Sequence, residues 1–369
     1  MTVGRRVLAR VKHAAFEIFP PLSSLAEKWR AIGDENYRKR HKEEVTALGR
    51  LKAEVGNRFS QGVPARDGKR VLVFGFYRVE AAVIERVVTA AFEHAGMAPI
   101  MVGPRLMLGR KAYEYLGLKS LITFAPSVGG TARAAATRAI SGMRHENELH
   151  AFSYGGVTCG KYAMSTLMRS QRTGSFDLND AATQKILIEA LARSISAVDA
   201  GRKLLRRHRP GALVVCDRGY TPYGEVSSLC FADGIPVYTW NMAHRDGLIV
   251  MKRFGAHNAE VHHHSLSRES WEKISNMKWC DDFRAACERE LVDSYTSGEW
   301  YGEVGTQFHV SSFDREALME RLALDPAKKT VVLFPHIFWD GTFFWGKDLF
   351  DDYEQWYCEV LKVARENTN

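Results

Sequence analysis

Residues 212–240 read ALVVCDRGYTPYGEVSSLCFADGIPVYTW, and this stretch decides the fold. Ala212 to Cys216 is an unbroken apolar run rich in β-branched residues, of the sort buried on both faces of a parallel sheet. A polar loop, DRGYTPYGE, follows it. A helical pattern then runs from about Glu225 to Ala232, Gly234 closes it, and a second apolar run covers Pro236 to Trp240. Strand, helix and strand at this spacing predict a βαβ unit.

The same pattern recurs upstream. RVLVFGF, Arg70 to Phe76, is a strand; Val79 to His94 is a helix ended by Gly96; Ala98 to Val102 is the next strand. A short strand at Ser120 to Phe124 and a helix through Ile140 continue the alternation. Gly155-Gly156, Gly160 and Gly174 among aromatic and basic residues mark 145–177 as an irregular insertion over one face of the sheet. Asn179 or Asp180 caps a long helix reaching about His208, which Pro210-Gly211 ends.

Downstream of Asn241 come a polar loop, a His-rich stretch, and helices at about Ser267 to Met277 and Cys280 to Tyr295. The link SGEWYGEVGTQ leads to a helix capped by Asp314, a strand at Thr330 to Phe334 and a last helix from Phe350 to Glu366. One strand and one helix cannot bury their own apolar faces, so this end reads as the opening of a further domain. The expected organisation is a basic helical region over 1–65, a Rossmann-like parallel-sheet domain with helices on both faces over 66–310, and the start of a second such domain over 311–369.

With 369 residues and 46% of them hydrophobic, the chain has material for more than one core and no composition of wholesale disorder. The formal charge of +8, with Arg5, Arg6, Arg10, Lys12 and then Arg38, Lys39, Arg40 and Lys42 crowding the beginning, favours anionic partners: phosphates, acidic glycans or lipid headgroups. Nucleic acid is not expected, because no zinc-finger spacing, RRM signature or helix-turn-helix accompanies the charge. No stretch reaches the roughly 20 apolar residues of a membrane span, and Glu17 and Pro20-Pro21 interrupt the apolar run that a secretory signal needs, so a cytoplasmic location is expected. Val3 to Phe19 has the pattern of a basic amphipathic helix, suited to an anionic membrane surface or to packing on its own domain. Six scattered cysteines without a C-x-x-C pair read as reduced thiols.

Ligands of open parallel sheets bind beyond the carboxyl ends of the strands. Three post-strand loops therefore carry the candidate residues. The first holds Asp217, Arg218, Tyr220, Tyr223 and Glu225; the second holds His244, Arg245 and Asp246; the third, PHIFWDG, holds His336, Trp339, Asp340 and Gly341. A carboxylate at a strand end or a histidine beside an arginine can serve as general base and phosphate partner. The alternative is structural, with Asp217 and Glu225 capping the turn and helix while Arg218 or Arg245 pairs with them. Aromatic residues around Asp340 suit sugar rings, a nucleobase or a domain interface. His262, His263 and His264 lack the spacing of a metal site, and no GxGxxG follows the Arg70 strand, so neither a metal nor a dinucleotide cofactor is expected.

Taken together, CDRGYTPYGE, PVYTWNMAHRDG, SGEWYGEVGTQ and FPHIFWDGTFFWGKDLFDDYEQW resemble bacterial capsule and surface-polysaccharide biosynthesis proteins of the glycosyltransferase-B type, from about Arg70 onward. The resemblance implies two Rossmann-like domains facing across a cleft, the N-terminal one on the acceptor side and the C-terminal one on the donor side. It also implies a nucleotide-sugar donor and a glycan acceptor as substrates, with no required metal. Carried over by position, Asp217 and His244 are the candidate bases. Arg218, Tyr220, Tyr223, Glu225, Arg245 and Asp246 line the acceptor side, and His336, Trp339, Asp340 and Gly341 face the donor. Such proteins continue beyond the point where this sequence stops, so the donor domain is expected to be incomplete here. Polyol-phosphate transfer or nucleotide-sugar epimerisation on the same fold, and a non-catalytic glycan- or partner-binding module, remain as alternatives.

Overall fold

The computed structural model describes residues 35–55, 68–76, 79–103, 107–243, 248–262, 265–297, 314–340, 350 and 353–367. Two compact units divide them. The first takes the described residues up to Ser170, then Ser175–Thr239 and Arg253–Ala259; the second takes Gln171–Gly174, Trp240–Lys252 and those from Glu260 onward.

The central sheet opens with β1, Arg70–Phe74, whose Val71, Leu72 and Val73 are fully buried, as expected of a strand covered on both faces. Helix α2, Val79–His94, returns the chain to β2, Ala98–Gly103, which pairs parallel to β1 with Arg70 opposite Ala98. Helix α3, Met107–Tyr115, leads to β3, Leu121–Thr123, parallel to β2. The chain then crosses to the other side of β1. There β4, Ala212–Val215, pairs parallel with β1, and β5, Val237–Met242, pairs parallel with β4 through helix α8, Tyr223–Ala232. The order is β3-β2-β1-β4-β5-β6, the Rossmann-like order, with β6 at Ile249–Phe254. Only residues 243–248 join β5 to β6. That link is far too short for a crossover and makes the last pair a hairpin, closed by Ala243 N donating to Leu248 O at 3.0 Å.

Helix α1, Glu35–Val55, packs on α3 and buries Leu48 and Leu51, and its Glu44 carboxylate accepts from Val79 N at 3.2 Å. It thereby satisfies one of the free amides at the start of α2. Between β3 and β4 lie α4, Gly130–Gly142; α5, Glu146–His150; α6, Gly160–Gln171; and α7, Ala181–His208. Asp180 caps α7 as expected, its Oδ2 accepting from Thr183 N at 2.8 Å. Helices α7 and α8 approach so closely that a Cβ on Gly201 would sit 3.0 Å from Leu229 Cδ1 and 3.1 Å from Val226 Cγ2.

Several expectations are corrected. The segment 145–177 is irregular only in part: α5 and α6 lie within it, and α6 buries Tyr162, Met164, Leu167 and Met168. Its Gly160 is needed because a Cβ there would overlap the Leu149 carbonyl oxygen, so the glycine marks a close backbone approach and not a loop. The expected strand over Thr330 to Phe334 is absent; residues 330–337 take no regular structure, and Val331, Val332 and Phe334 are 71%, 65% and 82% exposed. A strand needs a hydrogen-bonded neighbour, and among the described residues none is offered to it. Helix α3 and strand β6 were not expected from the sequence.

In the second unit, α9, Arg268–Ser275, is capped by Ser267, whose Oγ accepts from Ser270 N at 3.1 Å, and is followed by α10, Asp281–Ser297. Helix α11, Arg315–Arg321, and α12, Tyr353–Glu366, complete the described elements. The Val3 to Phe19 pattern lies outside the described residues. No described helix is long and apolar enough to cross a membrane.

Candidate functional site

In this strand order the chain builds outward from β1 through β2 and β3, then restarts at β4 on the opposite flank. The switch point therefore falls between the carboxyl ends of β1 and β4, where the two following loops diverge and leave a crevice. Phe74, Gly75 and Phe76 line it from β1, Cys216 and Asp217 from β4, and Tyr223 from the first turn of α8. The cavity is about 10 Å³, room for one water. Phe74 is held edge-to-face by Phe124 at 5.4 Å and by Tyr223 at 5.6 Å, so the crevice has a fixed aromatic floor.

Behind that floor lies an acid absent from the sequence reading. Glu85 of α2 is fully buried; its Oε1 accepts from Phe76 N at 3.0 Å and its Oε2 from the Tyr113 hydroxyl. Burial pushes its carboxyl up to about 7, against the lowering effect of these two hydrogen bonds. A Cβ on Gly75 would overlap Tyr113 Oη and lie 3.2 Å from Glu85 Oε2, so only glycine lets the strand end pass over this pair. Glu85 thus positions the Gly75–Phe76 turn. Its signal was available: at i+3 from Ala82 and i−3 from Val88 it falls on the buried stripe of α2.

The groups at the crevice share one field. Burial first, then the negative charges of Asp217 and Glu85, push the Cys216 thiol up to about 12, which leaves it protonated and a poor nucleophile. Burial, then Glu85 and Asp217, likewise raise the Tyr223 hydroxyl, which stays a hydrogen-bond donor at neutral pH.

The loop between β4 and α8 is tied at several points. Asp217 Oδ1 accepts from Gly219 N at 2.8 Å, an Asx turn. Thr221 N donates to Thr166 Oγ1 at 2.9 Å, and the Arg169 guanidinium lies 4.8 Å above the Tyr220 ring. Glu225 turns inward and is fully buried. Its Oε1 accepts from Thr221 Oγ1 at 2.6 Å and from the Ser194 hydroxyl, while its Oε2 has no partner. Burial pushes this carboxyl also up to about 7. Arg218 is buried as well, its guanidinium 4.1 Å over the Phe254 ring.

The structure therefore brings Asp217 and Tyr223 together at the crevice, seats Tyr220 on Arg169, and sends Arg218 and Glu225 into the core. Their inward course has a packing cause: a Cβ on Gly224 would overlap the Tyr162 ring and lie 2.8 Å from Arg218 O, so the loop presses flat on α6. His244, Arg245, Asp246 and Gly341 lie outside the described residues. In the second unit His336 stacks on Tyr353 at 4.3 Å, and Trp339 and Asp340 are half-buried in a turn closed by Asp340 N donating to Ile337 O at 3.1 Å. His262 takes part through its carbonyl, which accepts from Lys252 Nζ at 2.9 Å; His263 and His264 lie outside the described residues. Among the described residues no group of three or more His, Cys, Asp or Glu is placed to hold a metal, and all six cysteines are unpaired. Compared with family models, with curated proteins and with solved structures, the chain matches none.

Proposed function

We propose that this chain supplies the acceptor-side domain of a glycosyltransferase of bacterial surface-polysaccharide synthesis, acting in the cytoplasm with a nucleotide sugar as donor. The observation that carries the reading is the pairing of Asp217 with Tyr223 over the Phe74 and Phe76 floor at the β1/β4 switch point. The exposed Phe76 at the mouth of the crevice suits the apolar face of a sugar ring, a tyrosine hydroxyl donates to a sugar oxygen, and a carboxylate beside it can take the proton of an attacking hydroxyl. On this reading the loop of His244, Arg245 and Asp246 adds to the acceptor side. On the same reading His336, Trp339, Asp340 and Gly341 belong to the donor side.

The specific test uses the protein together with its donor-side domain and uridine, guanosine and cytidine nucleotide sugars, measuring binding by calorimetry and transfer to oligosaccharide acceptors. Saturable binding and transfer are expected, and Asp217→Asn lowers transfer by roughly 100-fold or more while keeping the turn, since an amide oxygen still accepts from Gly219 N. One observation favours a second reading, a glycan-binding module without catalysis: Asp217 Oδ1 is already engaged by Gly219 N. That module binds oligosaccharide with unchanged affinity in Asp217→Asn and binds no nucleotide sugar. Binding of neither ligand class overturns both readings.

A further inference from the structure

The opposite, amino-terminal edge of the sheet carries a different chemistry. Lys69 and Arg70 precede and begin β1, and the last turn of α7 runs through Arg206, Arg207 and His208 to Arg209 just before β4. β1 and β4 are neighbours, so these two segments meet: Arg70 Nη1 reaches His208 O at 3.5 Å, and Gly211 N donates to Arg70 O at 2.8 Å. Lys203, one turn back on α7, is exposed with them.

Three observations separate this cluster from ordinary surface charge. Other arginines of the fold are neutralised, as in Arg110–Glu114 at 3.2 Å, Arg133–Glu189 at 3.1 Å and Arg268–Glu272 at 3.0 Å. Among the described residues no carboxylate forms an ion pair with Lys69, Arg70, Lys203, Arg206, Arg207 or Arg209. One or two cations satisfy the carbonyl end of a helix dipole, yet the run continues past the helix into Arg209 and across to the next strand. Arg209 also takes a left-handed φ of 43° at the position where glycine is the unstrained choice, so the chain holds a guanidinium there against a backbone cost. The mutual repulsion is visible at His208, whose proton affinity is lowered by partial burial and then by the Arg207 and Arg70 charges.

We propose that this amino-terminal sheet edge docks the protein on an anionic lipid bilayer. The cations spread over the starts of two adjacent strands and the end of a helix, a two-dimensional patch that matches a planar array of headgroups. None of these residues is Phe, Tyr or Trp, and single-stranded nucleic acid binding calls for a stacking platform of such rings. Because the β1/β4 crevice lies at the far ends of the same strands, about 15 Å away at roughly 3.3 Å per residue, docking by this edge leaves the crevice open. The proposal does not depend on glycosyl transfer, since its assay contains neither glycan nor nucleotide.

The full chain is sedimented with vesicles of phosphatidylcholine alone and with vesicles carrying roughly a quarter phosphatidylglycerol. Binding only to the anionic vesicles is expected, weakening as salt screens the charges. Arg206→Gln with Arg207→Gln and Arg209→Asn, checked for an unchanged thermal midpoint, lowers anionic-vesicle partition on the order of 100-fold, given the strong contribution of each cation near the surface. A control, Arg5→Gln with Arg6→Gln and Arg10→Gln, retains most of it. Loss of binding in the control with retention in the edge variant overturns the proposal. So does equal partition onto both vesicles, or binding to heparin and single-stranded DNA without binding to anionic vesicles.

Discussion

Glu225 makes the stability of this protein depend on pH in a direction opposite to that of most carboxylates. Its folded value is about 7 against an ordinary 4.5, because burial disfavours the charged form and outweighs the lowering effect of the hydrogen bonds from Ser194 and Thr221. Between these values the folded state holds a proton that the unfolded chain releases, so stability falls as pH rises. The contribution is fully present below about 4.5 and is lost as pH climbs through about 7. With about 1.4 kcal/mol per unit over some 2.5 units, ionisation costs on the order of 3 kcal/mol at alkaline pH. Glu225→Gln keeps an oxygen to accept from Ser194 and Thr221 and cannot ionise. Its NH₂ group faces the position where Oε2 has no partner, which costs stability by an amount independent of pH. His150 and His208, both lowered chiefly by burial, push stability the other way, so the wild-type profile mixes signs; the difference between variant and wild type isolates Glu225. In urea titrations followed by tryptophan fluorescence, that difference should grow by roughly 1.5 M in midpoint between pH 4 and pH 8, taking a slope of about 2 kcal/mol per molar. A pH-independent difference would refute the buried-acid reasoning.

Glu85→Gln should show the same sign in the same assay, since burial likewise raises its carboxyl to about 7, and a flat difference there means that Glu85 is ionised in the folded state throughout. Gly75→Ala should destabilise by roughly 1–3 kcal/mol because its Cβ overlaps the fully buried Tyr113. Combining it with Tyr113→Phe should cost less than the two singles summed, and strict additivity in chemical denaturation would exclude the overlap. Asp180→Ala should lower the thermal midpoint by a few degrees through loss of the α7 cap; an unchanged midpoint argues that another donor–acceptor pair replaces it.

What was legible in the sequence was whatever a short window fixes. Val71 to Phe74 could only be a buried strand, Gly96 closed α2, and Asp180 announced the start of α7, each by local chemistry that the fold retains. What failed depended on partners far along the chain. Thr330 to Phe334 has the pattern of a strand but no described neighbour to pair with, whereas Ile249 to Phe254, broken by Lys252 and Arg253, forms a strand because β5 offers it an edge. Lys252 is accommodated by donating to the His262 carbonyl, a contact no pattern predicts.

The candidate site shows the same division one level up. That a crevice follows β4 was readable from the loop position alone, and Asp217 and Tyr223 line it. Which side chains of the loop face outward was not readable, because Asp217, Arg218, Tyr220 and Glu225 are equally polar on paper. Their directions are set by α6: Thr166 takes the amide of Thr221, Arg169 takes the ring of Tyr220, and Tyr162 leaves no room for a Cβ at position 224. With the loop pressed down at those three points, Glu225 at the start of α8 can only point inward, toward Ser194 of α7. The Asx turn at Asp217 is then what holds the remaining carboxylate at the mouth, so charge and turn at this residue are separable. Asp217→Asn removes the first and Asp217→Ala removes both, and the difference in stability between the two variants measures the turn, expected at on the order of 1 kcal/mol. Equal stability of the two variants would mean that the contacts with α6 alone fix the loop.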